Sequence, residues 1–207
     1  MHPDDLPTDR PTTLELTTVT GPWFRFDTRA PAGWDWTPFP APRHRFDSIS
    51  GRHRLRYAAS TVEGAARERF DATGRIVSLD DGSQWVIELS GTLQVIDLRL
   101  DDTLDALGLD DRVNTGRLTL DRADGDGMLD TCGTLTDRLV TWFGEDLHGI
   151  VYRSRTTPQR SANLAFSATA PLVIESTTRL RQLTDDQLAT LVLLHGFHFE
   201  DASLLDR

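Results

Sequence analysis

Alternating apolar and polar positions predict a series of short β-strands along this chain. In each predicted strand, apolar side chains recur at about every second residue, and glycine, proline or polar turns follow. The predicted strands are residues 12–19, 23–27, 54–59, 75–79, 84–90, 92–99, 150–155, 163–168 and 171–175. Gly91 separates two of these strands, which indicates a tight connection between them.

Helical spacing replaces the alternation in four segments. In residues 61–71, Val62, Ala66 and Phe70 form one apolar stripe, and Glu68 falls on the opposite side. The run from Ser60 to Glu63 has the spacing of a capping box, which predicts that the helix starts there. The other predicted helices are residues 103–109, 134–143 and 185–194, the last capped by Thr184 and terminated by Gly196.

The order of these elements predicts an α+β fold. Strands lie before, between and after isolated helices, without the regular strand–helix alternation of a parallel sheet. The 207 residues correspond to a single domain, with a mixed β core and a few flanking helices. Residues 28–43 contain four prolines and a glycine, which predicts a long surface loop.

Composition excludes several classes of protein. The apolar share is ordinary for a globular chain, and no apolar stretch approaches the length that spans a bilayer. The first residues lack the basic and apolar pattern of a secretion signal, so we expect a cytoplasmic protein without membrane contact. The single cysteine, Cys132, cannot form an internal disulfide.

The charge is distributed unevenly along the chain. The formal net charge is −10, and all 22 basic residues are arginines. Residues 21–76, however, hold ten arginines against six acidic residues, together with nine of the 16 aromatic residues. This composition favours a confined site for an anion that carries a flat ring, and it disfavours direct nucleic-acid binding, because the remaining chain would repel a polyanion. The alternative is that arginine replaces lysine throughout and the aromatic residues form the core.

Several well-known motifs of catalysis and metal binding are absent. The chain lacks the glycine-rich dinucleotide and nucleotide loops, the hydrolase nucleophile elbow and the zinc-protease helix motif. Residues 121–128 superficially resemble a calcium loop, but Ala123 and Met128 occupy positions where oxygen ligands are needed. His195 and His198 lack further ligands at suitable spacing, so we expect no metal.

Five segments resemble, in order, the signature segments of the RES-domain family. They are Trp-Phe-Arg-Phe at 23–26, Arg-Phe-Asp-Ser at 45–48, Leu-Arg-Tyr-Ala-Ala-Ser at 55–60, Gly-Ala-Ala-Arg-Glu at 64–68 and Gly-Ile-Val-Tyr-Arg-Ser-Arg at 149–155. The resemblance covers roughly residues 20–180. It implies a RES-like domain over residues 21–207, preceded by an N-terminal extension of residues 1–20. The family's fold is similar to that of ADP-ribosyltransferases.

The resemblance also implies a function and a set of site residues. RES-domain toxins degrade NAD by cleaving its nicotinamide N-glycosidic bond, through hydrolysis or phosphorolysis, so NAD would be the substrate and no cofactor is expected. Arg45, Glu68 and Ser154 correspond to the family's catalytic residues, and Arg25 and Tyr57 to residues that line its pocket. The implied protein partner is a helical, DNA-binding antitoxin. A homodimer is a further expectation.

The residue types suit this chemistry. A carboxylate such as Glu68 stabilises the positive charge that develops on the ribose, and guanidinium groups such as Arg25 and Arg45 bind a pyrophosphate bidentately. Tyr57 offers a ring for stacking on nicotinamide, and Ser154 a hydroxyl that fixes the reacting geometry. Without the resemblance, the same residues would be interpreted as a solvated helix-face glutamate, structural arginines, a core tyrosine and a turn serine.

The chain departs from the family pattern at two positions. His44 stands where a glycine usually precedes the Arg-aromatic pair, and Arg56 stands where an apolar residue usually precedes the tyrosine. Both departures bear on the width of the pocket and on its ligand. Two other hypotheses therefore stay open: a catalytically silent RES-fold protein that binds a nucleotide or a partner, and an ADP-ribosyltransferase.

Overall fold

The computed structural model describes residues 2–78, 80–115, 127–155 and 161–200. The strands in this part of the chain are β1 (Thr17–Thr20), β2 (Trp23–Asp27), β3 (Arg56–Ala59), β4 (Ile76–Val77), β5 (Trp85–Ser90), β6 (Thr92–Asp97), β7 (Gly149–Arg153), β8 (Ala162–Phe166), β9 (Val173–Arg179) and β10 (His198–Phe199). The α-helices are α1 (Val62–Phe70), α2 (Asp101–Leu107), α3 (Arg112–Thr115), α4 (Met128–Phe143) and α5 (Asp185–Ala189). Most of the calcium-like run, residues 121–126, lies outside the described residues.

Eight of these strands form one sheet, in the order β1-β6-β7-β8-β3-β2-β5-β9. Its neighbouring strands are antiparallel except for the parallel pair β6 and β7. Strands β4 and β10 form a separate parallel pair. The predicted α+β class, with a mixed β core and a few helices in a single domain, is confirmed.

The sheet curls back on itself because two of its strand pairs, β1–β6 and β2–β5, belong to one long ribbon. Thr20 pairs with Thr92 and Trp23 pairs with Leu89, so the β1–β6 ladder continues into the β2–β5 ladder in the same register. Strands β7, β8 and β3 then connect β6 back to β2. The strands on either side of Gly91 therefore pair with different partners and not with each other.

Gly91 is required where this ribbon is interrupted. Its backbone has a φ of 155°, and a Cβ atom there would lie 2.5 Å from the carbonyl oxygen of Pro171. Only glycine avoids that collision. Its own carbonyl accepts a hydrogen bond from the backbone N–H of Gly21 at 3.3 Å, which joins the two halves of the ribbon.

The N-terminal segment, predicted as an extension, packs into the main core. Leu6 and Leu14 are buried in the same apolar cluster as Phe46 and Leu139. The guanidinium of Arg138 on α4 donates hydrogen bonds to the carbonyl oxygens of residues 6 and 7. Strand β1 adds residues 17–20 to the sheet.

Helix α4 starts six residues before its predicted start at residue 134. The predicted start followed from the spacing of Leu135, Leu139 and Phe143, and Gly133, whose residue type lowers helix propensity, lies just before it. In the structure a side chain has no room at this position, since a Cβ at Gly133 would lie 2.8 Å from the carbonyl oxygen of Asp47. The glycine lets α4 pack directly against the backbone that follows Arg45.

The final predicted helix, residues 185–194, is helical throughout but changes type after its first five residues. Helix α5 starts after the Thr184 cap, whose hydroxyl accepts a hydrogen bond from the N–H of Gln187. It ends at Ala189, and residues 190–194 continue as a wider π-helical turn. The predicted loop at residues 28–43 is confirmed, with one short 3-10 turn at Pro31–Gly33. None of the helices in the described ranges combines the length and apolar character needed to cross a bilayer.

Candidate active site

Helix α1 presents Glu68 to a cavity on the curled sheet. The hydroxyl of Thr61 accepts a hydrogen bond from the N–H of Gly64 at 3.0 Å and caps the helix, so the cap lies one residue after the predicted Ser60. The predicted stripe of Val62, Ala66 and Phe70 is buried. Burial of that stripe leaves Glu68 on the side that faces the cavity.

Gly64 allows this helix to lie close to the sheet. A Cβ at Gly64 would come within 2.9 Å of the Ser161 hydroxyl oxygen and 3.2 Å of the Ala59 Cβ. Such a contact is closer than side-chain carbons normally tolerate, so a larger residue would push α1 outwards. The close approach brings Glu68, one turn later, within hydrogen-bond distance of the sheet.

Two side chains from neighbouring strands hold the Glu68 carboxylate. The Ser154 hydroxyl donates to Oε1 of Glu68 at 2.7 Å, and the Asn163 amide donates to the same oxygen at 3.0 Å. Ser154 and Asn163 are only 2% and 1% exposed. The structure thus brings together the predicted Glu68 and Ser154, and adds an asparagine that the sequence interpretation missed.

The cavity beside this carboxylate has a volume of about 490 Å³, which is within the range of small-molecule sites. Of the predicted site residues, Arg25, Tyr57 and Glu68 line it, whereas Ser154 and Arg45 are not among the described lining residues. Polar residues that complete the described lining are Asp27, Thr28, His44, Arg69, Tyr152 and Asn163.

Arg25 contributes a positive charge to the cavity wall. Its Nε donates to Oδ2 of Asp27 at 2.9 Å, and another guanidinium nitrogen donates to the carbonyl oxygen of Tyr57 at 2.7 Å. Burial lowers the pKa of Arg25, and the charge of Asp27 partly opposes that effect. Arg56 also binds the same Asp27 oxygen, at 3.1 Å, so two guanidinium groups share one carboxylate.

Arg56, one of the two departures from the family pattern, fastens the long loop to the sheet. Its guanidinium lies 4.7 Å from the ring centre of Trp34 and 5.1 Å from that of Trp36, and it donates to the carbonyl oxygen of Asp35 at 3.0 Å. Burial, followed by the charge of Arg25, lowers the pKa of Arg56 to about 10. A residue that the pattern expects to be apolar therefore makes polar and cation–π contacts at once.

Arg45 lies in the interior, outside the described cavity lining. It is 6% exposed, and its guanidinium donates to the carbonyl oxygen of Val113 at 2.7 Å. Of the two predicted pyrophosphate ligands, Arg25 is among the described lining residues of the cavity and Arg45 is not. Their shared clamp on one pyrophosphate stays a prediction.

Tyr57 supports the segment that carries Arg45. Its hydroxyl donates to Oδ1 of Asp47 at 3.1 Å and accepts from the N–H of Phe46 at 3.2 Å. Burial, followed by the negative charge of Asp47, raises the pKa of Tyr57 well above its ordinary value. The hydroxyl is thus engaged with the protein, and the ring is the part of Tyr57 that a ligand could contact.

His44, the other departure, stands against that ring. Its imidazole centre lies 5.5 Å from the Tyr57 ring and 6.0 Å from the Phe39 ring. Burial lowers the pKa of His44; Asp47 opposes the shift, whereas Arg25, Arg43 and Arg54 add to it. The imidazole is therefore a neutral ring on the cavity wall at neutral pH, where a glycine would leave the wall open.

The charges of two predicted site residues, Glu68 and Arg45, both influence the buried Tyr152. It lies opposite Asn163 across the β7–β8 pair, and its ring packs 5.0 Å from that of Phe46. Burial raises its pKa first, the charge of Glu68 raises it further, and the charge of Arg45 lowers it. The charges of Glu68 and Arg45 thus shift the pKa of the same hydroxyl in opposite directions.

Comparison with protein families identifies the family to which this chain belongs. The family model of the RES domain matches residues 22–187, which is most of the chain and includes all five predicted site residues. The chain belongs to the RES-domain family. No curated protein matches it. In this RES domain Glu68 and Ser154, two residues that the resemblance relates to the family's catalytic residues, are directly hydrogen-bonded. Within the described residues, no cluster of histidine, cysteine and acidic side chains is suited to a metal ion.

Proposed function

We propose that this RES domain degrades NAD by cleaving the bond between nicotinamide and ribose, by hydrolysis or phosphorolysis. The observation that carries the proposal is the Glu68 carboxylate, which is held by Ser154 and Asn163 at the wall of a small-molecule cavity. A carboxylate fixed in this way is suited to a reaction that develops positive charge next to it.

The proposed reaction separates nicotinamide with the electron pair of the broken carbon–nitrogen bond. The ribose C1′ then carries oxocarbenium character, which the negative charge of Glu68 stabilises. Water or inorganic phosphate forms the new bond at C1′. With water, the products are nicotinamide, ADP-ribose and a proton; with phosphate, the ADP-ribosyl group is transferred to a phosphate oxygen.

Arg25 and Tyr57 support a nucleotide ligand in the same cavity. We assign the pyrophosphate to Arg25, because its guanidinium is on the cavity surface and shares Asp27 with a second arginine. The rings of Tyr57 and His44 offer an aromatic surface for the nicotinamide. We assign Arg45 a supporting role, since it is buried, donates to the carbonyl oxygen of Val113 and lies outside the described cavity lining.

The test is incubation of the purified protein with NAD, with and without phosphate, followed by chromatography. Release of nicotinamide above the rate without protein supports the proposal, and the companion product distinguishes hydrolysis from phosphorolysis. Intact NAD together with measurable NAD binding would favour the catalytically silent hypothesis. Transfer of labelled ADP-ribose onto an added protein would instead indicate an ADP-ribosyltransferase.

A protein that consumes NAD in the cytoplasm would harm the cell that makes it. The proposal therefore includes a neutralising protein partner. As the family resemblance implies, this partner is a helical, DNA-binding antitoxin. Growth arrest on expression of the wild-type chain, with normal growth on expression of Glu68→Gln, would support the toxin role. Rescue by a neighbouring gene would identify the antitoxin.

A further inference from the structure

Asn163 occupies a position in the sheet where an amide is unusual. It lies in β8, whose residues are all buried, and β8 has neighbours on both sides. Asn163 pairs with Tyr152 of β7 and with Ala59 of β3. The other residues of β8 are apolar, so Asn163 is the one amide in an otherwise apolar strand at the centre of the curled sheet.

The Glu68 carboxylate determines which end of the amide faces it. An ionised carboxylate accepts hydrogen bonds and donates none, so the amide nitrogen of Asn163 must be the atom 3.0 Å from Oε1 of Glu68. The reverse orientation would place two acceptor oxygens against each other. The hydrogen bond is therefore a charge-assisted one, which is stronger than a bond between neutral groups.

The other end of the amide indicates that Asn163 is not present for packing. Its Oδ1 atom is sealed from solvent and has no hydrogen-bond partner among the described residues. A buried acceptor without a partner is unfavourable for folding, and an apolar residue of the same size would avoid that cost. The amide compensates through the bond that its nitrogen makes to Glu68 and through its interaction with the neighbouring Tyr152 hydroxyl.

We propose that Asn163 is a positioning residue that holds the Glu68 carboxylate in its reactive orientation. This inference rests on the proposed function. Ser154 reaches Oε1 from the end of β7, whereas Asn163 reaches it from the middle of β8, so two fixed strands restrain one carboxylate. Without the amide, the glutamate side chain loses one of these restraints. The chemical step then slows more than substrate binding weakens.

The test is a double-mutant cycle between Asn163→Leu and Glu68→Gln, measured as nicotinamide release from NAD. Leucine has a similar volume and keeps the strand apolar. We expect Asn163→Leu to lower kcat about ten- to a hundredfold with KM within about threefold of wild type. In the Glu68→Gln background, the same substitution should have little further effect, because a residue that acts through Glu68 has lost its partner. Asn163→Ala gives the same comparison if the leucine variant does not fold.

Gln94→Leu is the control. Gln94 also carries its amide on a strand of the sheet, but that amide donates to the Thr18 hydroxyl at 3.1 Å on β1, so its loss affects stability alone and should combine additively with Glu68→Gln. Additive effects for Asn163, or an Asn163→Leu protein with wild-type kcat, would overturn the positioning role while leaving the proposed function intact. A folded wild-type protein that leaves NAD unchanged would overturn both.

Discussion

Glu68 combines an exposed position with two hydrogen bonds to the interior. It lies on the side of α1 that faces the cavity, and its carboxylate oxygen accepts hydrogen bonds from two buried side chains. A glutamate on a solvated helix face would have no reason to be met by Ser154 and Asn163. The contacts are therefore a physical argument against the interpretation of Glu68 as a solvated surface residue.

Replacement of Glu68 by glutamine should separate charge from shape. Glutamine keeps the size of the side chain but removes the negative charge that opposes the oxocarbenium, so kcat for NAD cleavage should fall by about a hundredfold or more. The KM and the melting temperature should change little. The measurement is nicotinamide release beside a thermal melt, with Glu63→Gln on the same helix as the control. Near-normal turnover by Glu68→Gln would refute the assigned role.

His44 should make the stability of the protein depend on pH. Its pKa in the folded protein is lower than the ordinary 6.5, so below about pH 6.5 the unfolded chain binds more protons than the folded protein. The free energy of unfolding therefore falls as the pH drops through that range. His44→Phe keeps a ring in place but cannot be protonated, and should lose this part of the pH dependence.

Urea unfolding at pH 7.5 and at pH 5 measures this effect. The wild type should lose more stability between the two pH values than His44→Phe does. His53→Gln, a substitution in the same segment, serves as the control and should retain the wild-type difference. Equal losses in wild type and His44→Phe would show that the imidazole does not contribute.

Arg56 makes several contacts with the loop of residues 28–43. Arg56 contacts two of its tryptophans and one of its carbonyl oxygens, and it also binds Asp27 at the start of the loop. Arg56→Leu would restore the apolar residue that the family pattern expects at this position. It would also remove these contacts and leave the hydrogen bond from Arg54 to the carbonyl oxygen of Thr37, so the loop would be held more weakly next to β3.

We expect Arg56→Leu to lower the free energy of unfolding by about 2–4 kcal/mol. Trypsin should also cleave faster after Arg29 and Arg43 in the loosened loop. Denaturant unfolding and mass spectrometry of the fragments measure the two effects. Arg52→Leu, an exposed arginine of the preceding segment, should change neither. A cleavage rate equal to that of wild type would mean that other contacts hold the loop.

Elements with strong periodicity were predictable from the sequence, and contacts between elements were not. The stripe of Val62, Ala66 and Phe70 defined α1 because burial of one helix face is visible in spacing alone. The first turns of α4 were missed. Gly133 is explained there only by the close approach of another backbone segment, which spacing along the sequence does not show. Asn163 was missed for the same reason: its partner is on a helix about a hundred residues earlier.

Strand pairing was the largest part of the fold that the sequence left open. The strands beside Gly91 were placed correctly, yet alternation does not say which strands are neighbours. The observed order joins β6 to β7 across about fifty residues and separates β5 from β6. A short connection such as the one at Gly91 can thus join two paired strands of a hairpin or two strands that continue one ribbon. Sequence alternation alone does not distinguish these two arrangements.

At the scale of the whole molecule, the curled sheet should be most stable at its centre. Strand β8 is flanked by β7 and β3, whereas β9 pairs only with β5 among the described strands. Amide hydrogen exchange should therefore be slowest in β7, β8 and β3 and markedly faster in β9. Exchange followed by mass spectrometry of the peptides measures this order. Equal protection of β8 and β9 would contradict it.

The protein is negatively charged as a whole but carries a local positive charge at the cavity wall. The net charge of −10 should keep polyanions away, while Arg25 and Arg56 share a single carboxylate at the cavity wall. A small anion is therefore attracted over a short range and a nucleic acid is repelled over a long one.

The burial of Leu6 and Leu14 means that the evolutionary unit and the folding unit of this protein have different boundaries. The family match starts at residue 22, but a chain shortened to that boundary would lose strand β1 and expose the apolar surfaces that Leu6 and Leu14 cover. Arg138 would keep its charge and lose its two backbone acceptors. A polypeptide cut at the family boundary would thus be prone to aggregation even with every site residue present. Residues that carry none of the chemistry are needed for the domain to remain soluble long enough to perform it.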